Sequence, residues 1–282
     1  MLKQRVLTAL ALFLGFMGAL LGLTPAQFSA LVALVALYGA WEWAALAGFK
    51  TIQGRALYVT ALLLCLLAVA RWQGFDESTI HSERARSALF VACMWWAIAL
   101  LWVQGYPSSA ILWGRRWSRA LMGCLVLVPT WLAITLLIHT PEGPWLVLAV
   151  IALVAAADIG AFFFGRAFGR HKLALRVSPG KTWEGVGGGL VAITAIAVPA
   201  ALSLNRDGGA VFVGFCLLLA LLTGLASVLG DLVESMIKRY SGVKDSGRVL
   251  PGHGGVLDRI DGMTAALPVF ALLYSLLPLR FS

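Results

Sequence analysis

Long apolar runs separated by short polar segments dominate the pattern of this chain. A helix that crosses a bilayer needs about 20 mostly apolar residues, and its backbone must satisfy its own hydrogen bonds in hydrocarbon. We therefore predict an all-α, polytopic integral membrane protein with about nine transmembrane helices. The predicted spans are residues 6–23, 27–48, 56–70, 87–103, 119–138, 145–165, 185–205, 209–230 and 262–280.

Composition supports this assignment. Hydrophobic residues make up 60% of the 282 residues and charged residues only 12%, about half the charged fraction of a typical soluble domain. A soluble enzyme, a disordered chain and a coiled coil are excluded, and the continuous runs exclude an outer-membrane barrel, whose strands alternate. The net charge of +9 does not call for nucleic acid as a partner, because membrane proteins retain Lys and Arg in cytoplasmic loops.

The positive charges also predict an orientation. With the N-terminus in the cytoplasm, the N-terminal tail, Arg119 and the loops near 49–55, 104–118, 166–184 and 231–261 hold 17 of the 22 Lys and Arg residues. The opposite topology inverts this bias, so the positive-inside rule predicts a cytoplasmic N-terminus. The short tails favour a bacterial inner (plasma) membrane.

Acidic residues are concentrated in the second half of the chain. Seven of the 13 fall in two segments, 158–188 and 230–262. We therefore divide the chain into residues 1–140, with about five transmembrane helices, and residues 141–282, a catalytic region with about four helices plus cytoplasmic loops.

The later segment reads GDLVESMIKRYSGVKDSGRVLPGHGGVLDRIDG. Its first polar residues share one face if the preceding span continues as a helix; they are Asp231, Glu234, Ser235 and Lys238. Asp258 and Asp261 share a face at the start of the last span. The stretch between these groups is rich in Gly and contains Pro, so it predicts a loop that folds one acidic helix end towards the other.

Converging carboxylates form a hard oxygen site suited to magnesium, and the surrounding cations suit phosphates. Asp231 ends a long uncharged run, where a carboxylate is costly without a partner or a function. Simpler interpretations stay open for single features: the cations as a topology signal, and Asp258 and Asp261 as a cap or ion pair. His253 either contacts the loop backbone or acts as a general base, and zinc is not expected because no second His or Cys is nearby.

The earlier segment reads DIGAFFFGRAFGRHKLALRVSPGKTWEGVGGG. Asp158 lies in an apolar span and is expected to face the protein interior. We interpret Ser178 and Lys181 as phosphate contacts, and Thr182 or Ser178 as the cap of the next helix. A Walker P-loop is excluded, because Leu175 stands where the motif requires Gly and no strand is predicted before it. The alternative is a basic loop that only fixes topology.

These motifs resemble a known family. The stretch SMIKRYSGVKDSGRVLPGHGGVLDRIDG is similar to the signature of phosphatidate cytidylyltransferases, the CDP-diacylglycerol synthases, with S-x-x-K-R, then K-D, then P-G-H-G-G-x-x-D-R-x-D. DIGAFFFGRAFG and SPGKTWEG resemble a second block of that family, so the similarity covers residues 158–262. The chain has Phe162-Phe163 where the family commonly has an aromatic such as Tyr.

The resemblance implies transfer of CMP from CTP to phosphatidate, giving CDP-diacylglycerol and pyrophosphate at the cytoplasmic membrane face. It also implies magnesium with potassium beside it, and a homodimer. Carried over by position, Asp231 and Asp258 are the metal ligands, and Asp261, Lys238 and Lys181 belong to the catalytic centre. Further binding positions are Ser178, Ser235, Lys244, Asp245 and His253. For the mechanism we expect magnesium-assisted in-line attack.

Two other functions agree less well with the sequence. A polytopic ion or solute transporter would use intramembrane carboxylates such as Asp158 and Asp231, but it would not need the Gly-, Lys- and acid-rich loops. A CDP-alcohol phosphotransferase is disfavoured, because the Arg of its DGxxAR pattern is missing after Asp261. Glu42, another ionisable residue within a span, is placed at the membrane interface beside neighbouring tryptophans and given no catalytic role.

Overall fold

Helices account for nearly all of the regular structure. The computed structural model describes residues 2–75, 82–204, 209–250, 252 and 254–277. The helices are α1 Leu2–Gly22, α2 Pro25–Ala47, α3 Ile52–Gln73, α4 Ser82–Gln104, α5 Ala110–Trp113, α6 Arg116–Ile138, α7 Gly143–Phe168, α8 Trp183–Leu204, α9 Gly209–Tyr240 and α10 Leu257–Ser275. Two strands, β1 Lys172–Ala174 and β2 Ser178–Thr182, pair antiparallel between α7 and α8.

Seven helices in the described part of the chain are long and apolar enough to cross a membrane: α2, α3, α4, α6, α7, α8 and α9. The predicted all-α polytopic membrane fold is confirmed, with the addition of the short β-hairpin. The count of about nine spans is not confirmed. α10 lies among the packed helices, but its first five residues include Asp258, Arg259 and Asp261, which lower its apolar character.

α9 is longer than a bilayer requires. Its 32 residues extend about 48 Å at 1.5 Å per residue, against about 30 Å of hydrocarbon. Asp231 therefore lies about 33 Å along the helix, where its last turns leave the apolar layer. This end is anchored to other helices, because the Tyr240 hydroxyl donates to Gly114 O at 3.1 Å and Ser241 Oγ donates to Leu46 O at 2.8 Å. The predicted continuation of the span as one helix through Lys238 is confirmed.

α10 connects the two halves of the chain. It packs mainly against α9 and α6, and it also contacts α4, α7 and α2. α9 and α10 approach so closely at Gly230 that any side chain there would collide with the Asp261 carbonyl. The division after residue 140 falls in the connection between α6 and α7; as a domain boundary it stays a prediction.

Glycines of α8 allow similarly close packing on α7. A Cβ added to Gly189 would lie 2.8 Å from Ala157 O, a backbone atom that cannot rotate away, whereas a Cβ on Gly187 would meet nothing within 4 Å. Two neighbouring glycines of one helix therefore differ in whether they can accept a methyl group.

We expect Gly189→Ala to lower the thermal stability of the detergent-solubilised protein, because overpacking of this kind costs about 1–3 kcal/mol. Gly187→Ala is the matched control, since it adds the same methyl group in open space and removes a helix-destabilising glycine worth about 1 kcal/mol. Unfolding temperatures measured side by side test this, and equal values for the two variants would contradict the close contact.

Candidate active site

Charged side chains of α9 and α10 meet at one end of the bundle. Lys238 Nζ lies 2.7 Å from Asp258 Oδ1 and 3.4 Å from Glu234 Oε1. Lys238 is only 8% exposed, so these carboxylates supply the counter-charge that a buried ammonium needs. The sequence predicted Lys238 and Asp258 near each other, and the structure brings them into direct contact.

Asp258 also holds the loop between α9 and α10. Its Oδ2 accepts hydrogen bonds from Ser246 N at 3.0 Å and from Gly255 N at 2.8 Å. A Cβ at Gly254, whose φ is +81°, would lie 2.6 Å from Asp258 Oδ2 and would collide with this carboxylate. Glycine at this position therefore allows the loop backbone to lie close to the acidic end of α10.

The β-hairpin is attached to the same region of α9. Lys181 Nζ lies 2.6 Å from Asp231 Oδ2, and Ser235 Oγ donates to Asp231 Oδ1 at 3.1 Å. The predicted cap of α8 is confirmed for Thr182, whose Oγ1 accepts from Gly185 N at 3.1 Å. The expectation that no strand precedes this motif was wrong, because β1 precedes it and the Gly-Lys-Thr residues themselves belong to β2.

A cavity of about 190 Å³ lies beside this hairpin, lined by residues of α7, β2, α8 and α9 that include Asp158, Phe162 and Lys181. Asp158 lines this cavity within electrostatic range of Lys181 and Asp231, so it faces other groups of the protein, as predicted, although the cavity leaves it accessible. Phe162 and its neighbour Phe163 are largely exposed, as lipid-facing side chains are. The cavity thus places a cation and a carboxylate next to an apolar outer surface.

Asp261 links the two groups of charges. It lies within electrostatic range of both Asp231 and Lys238. Together with Glu234, Thr264 and two tryptophans it lines a small cavity where α9 and α10 meet α2, α4 and α6. The two ion-paired groups and Asp261 therefore form one charged region, and its members, Lys181, Asp231, Asp261, Lys238 and Asp258, are called the charged row.

Sequence reasoning missed Glu42. Glu42 is 4% exposed and accepts hydrogen bonds from Ser246 Oγ, Val256 N and Leu257 N, so it is enclosed by protein, and its placement at the membrane interface stays a prediction. The rule that singled out Asp231, that a carboxylate within an apolar span needs a partner or a function, also applied to Glu42. Ser246 gave no signal of its own.

The remaining predicted site residues are less closely grouped. Ser178 is partly buried at the start of β2, and Ser235 is buried against Asp231. Lys244 and Asp245 are exposed on the loop between α9 and α10. His253 lies outside the described residues, so its predicted role stays a prediction.

The carboxylates are chemically suited to magnesium. Within the part of the chain that the structure describes, no group of three or more His, Cys, Asp or Glu side chains is arranged to hold a metal ion. Magnesium is commonly held by only one or two carboxylates together with substrate phosphates and water. Asp231, with one third of its side chain exposed, and the nearby Asp261 provide oxygen donors of that kind, whereas Asp258 already accepts bonds from Lys238 and the loop.

The fold and this row of charges define a polytopic membrane protein with a site of carboxylates and lysines at one end of its helix bundle. Residues 3–277 match the model of the family described as the Cytidylyltransferase family, and the chain belongs to this family. Over 97% of both chains it is 46% identical to a protein of Pseudomonas aeruginosa named phosphatidate cytidylyltransferase. A Haemophilus influenzae protein of the same name is 42% identical over 97% of this chain and 99% of its own length.

A Mycobacterium leprae protein also named phosphatidate cytidylyltransferase is 34% identical over 73% of this chain and 68% of its own length. The similarity therefore extends well beyond the short motifs of the charged row. It includes most of the helices that surround them.

We expect Lys238→Met to destabilise the protein strongly, because it leaves the buried Glu234 and Asp258 without their counter-charge. Removal of one partner of a buried ion pair costs about 3–5 kcal/mol. The matched control is Lys244→Met, which removes the same charge from an exposed position of the neighbouring loop. Thermal unfolding in detergent measures both, and a Lys238→Met protein as stable as the Lys244→Met protein would refute the pairing.

Proposed function

We propose that the protein transfers CMP from CTP to phosphatidate at the cytoplasmic face of a bacterial plasma membrane, giving CDP-diacylglycerol and pyrophosphate. The observation that carries this proposal is the charged row beside a cavity next to the lipid-facing surface of α7. One substrate is held in the bilayer and the other is water-soluble, so the reaction requires such a place. The full-length relatives named phosphatidate cytidylyltransferase support the same assignment.

In the proposed reaction, a phosphate oxygen of phosphatidate attacks the α-phosphorus of CTP. A phosphorus–oxygen bond forms on the α-phosphorus while the bond to the β-phosphate oxygen breaks, and pyrophosphate leaves in line. The attacking phosphate is already ionised near neutral pH, so the chain does not need to supply a strong general base. The protein's task is to orient two polyanions and to offset their mutual repulsion.

We propose that Lys181 orients the lipid phosphate. Its side chain lines the cavity and is 24% exposed. An incoming phosphate would compete with Asp231 for the Lys181 ammonium. Lys238 is more deeply buried, and we propose that it keeps Asp258 and Asp261 ionised and in place. Ser178, Ser235, Lys244, Asp245 and His253 are proposed as further substrate contacts.

Magnesium, when bound, would neutralise part of the negative charge of the substrate phosphates. We propose that Asp231 and Asp258 hold it, that Asp261 belongs to the same centre, and that potassium binds beside it. Asp258 would have to exchange one of its present hydrogen bonds for such a role, whereas Asp231 needs only to release Lys181.

We also propose a cytoplasmic N-terminus and a homodimer. The orientation follows from the excess of Lys and Arg in the loops on the side that carries the charged row. The dimer rests on the resemblance to the family.

We expect membranes that contain the protein to convert radiolabelled CTP into an organic-soluble lipid when phosphatidate and magnesium are present, and chelation of magnesium to stop this conversion.

Asp231→Asn and Asp258→Asn should each lower the rate of this conversion by at least about 1,000-fold, a barrier change of about 4 kcal/mol. The exposed Glu83→Gln, in α4, is the control for loss of one carboxylate. Solute flux without labelled lipid would favour a transporter, and near-normal turnover of either aspartate variant would refute the metal assignment.

We expect Lys181→Met to raise the KM for phosphatidate more than the KM for CTP, because Lys181 faces the cavity proposed for the lipid phosphate. Loss of a hydrogen bond to a charged group predicts an increase of about ten-fold or more. The exposed Lys172→Met, at the start of β1 in the same hairpin, is the matched control. Equal changes in both KM values would argue against a lipid-side position for Lys181.

A further inference from the structure

We propose that Glu42 of α2 is a positioning residue for the charged row: it fixes Ser246 and Val256 of the loop between α9 and α10, together with the start of α10, and thereby places Asp258. Its consequence for catalysis rests on the proposed cytidylyl transfer, whereas its effect on the loop does not. The carboxylate comes from the N-terminal region of the chain, to which neither the motifs nor the resemblance assigned a functional residue.

The first support is the burial and saturation of the Glu42 carboxylate. Ser246 Oγ donates to Oε2 at 3.2 Å, Leu257 N donates to Oε2 at 2.9 Å, and Val256 N donates to Oε1 at 3.1 Å. All three donors belong to the loop or to the first residue of α10, about 200 positions away in sequence. The buried carboxylate therefore connects α2 to the loop and to the start of α10.

The second support is the position of Ser246 between two carboxylates. Its hydroxyl donates to Glu42, while its backbone N–H donates to Asp258 Oδ2 at 3.0 Å and to Oδ1 at 3.2 Å. The same residue thus transmits the position of Glu42 to Asp258. Asp258 Oδ1 in turn accepts from Lys238 Nζ at 2.7 Å.

The third support is the shape of the loop around Glu42. Any side chain at Gly247 or Gly255 would collide with the Glu42 carboxylate. Both glycines therefore let the loop close over this group, which the glycine-rich sequence alone did not reveal. At the other side, α2 approaches α10 at Gly39, where a Cβ would lie 3.1 Å from Leu257 Cδ2.

The fourth support is the electrostatics of the α10 N-terminus. Val256 N and Leu257 N are among the backbone donors that lack partners within a helix, and an anion at this end is favoured by the helix dipole. Glu42 satisfies both donors from outside the helix. Asp258 lies one residue and Asp261 one turn further along α10, so a shift of this helix start moves both.

Glu42→Gln tests the proposal because the side chain keeps its shape but cannot accept hydrogen bonds through its amide nitrogen. With three donors facing it, at least one loses its partner or meets another donor. We expect kcat per folded protein to fall by about ten-fold or more, as loss of a hydrogen bond to a charged group predicts, while the KM for phosphatidate changes less than about two-fold. We expect kcat to fall further in Glu42→Ala, because alanine provides no hydrogen-bond acceptor for any of the three donors.

Limited trypsin digestion measures how well the loop is held in place, and it does not depend on the proposed cytidylyl transfer. Lys244 and Arg248 are exposed cleavage sites in it, and we expect cutting after them to be faster in Glu42→Gln than in the wild-type protein. Ser29→Ala is the matched control, since Ser29 is a buried polar residue of the same helix that donates only to Pro25 O. It should change neither kcat nor cutting.

A double-mutant cycle tests the connection through Ser246. Ser246→Ala should lower kcat in the wild-type background but have little further effect in Glu42→Ala, because the bond it removes is already lost. Additive effects would overturn the proposal. So would a Glu42→Gln protein with wild-type kcat and cutting, or one whose yield alone falls. If the wild-type protein makes no CDP-diacylglycerol, the proposed function fails, and the trypsin comparison still decides whether Glu42 holds the loop.

Discussion

Charge balance among the buried and half-buried carboxylates at one end of the bundle is the constraint on which the site depends. A buried ion without a partner is costly enough to shift its protonation or unfold its surroundings. Lys238 and Lys181 provide the partners: Lys181 of β2 meets Asp231 of α9, and Lys238 of α9 meets Asp258 of α10 as well as Glu234 of its own helix. The β-hairpin, the loop and the start of α10 are therefore attached to α9 largely through ion pairs and hydrogen bonds.

The same arrangement suits the proposed binding of polyanions. Cations that already face carboxylates are held in fixed positions, so under the proposed function little reorganisation would be required when a phosphate replaced one partner. The difference in burial between the two lysines separates their tasks. Lys181 is exposed enough to exchange Asp231 for a ligand, whereas Lys238 is enclosed by Glu234 and Asp258 and serves mainly to hold them.

The sequence predicted the helices and the α9 face well, because apolar run length and helical spacing are local properties. It also predicted that Asp258 approaches Lys238, since the glycine-rich loop must return to α9. It did not predict the hairpin, whose strands of three and five residues are too short for a periodic signal. The partners of Glu42 were not predicted, and those of Asp158 only in part, because the side that a residue of an apolar helix faces is decided by packing partners distant in sequence.

Glu42 connects the N-terminal half of the chain to the loop that carries part of the motif. The motifs concentrate in the C-terminal half, which invites the view that the first helices only anchor it in the membrane. The loop that carries Ser246 and Gly255, however, closes over a carboxylate of α2, and α10 packs against α2, α4 and α6 as well as α9. The geometry of Asp258 is consequently set by contacts from both halves. A C-terminal fragment that contained every motif residue would lack the carboxylate that orders its own loop, so the active unit is the whole bundle.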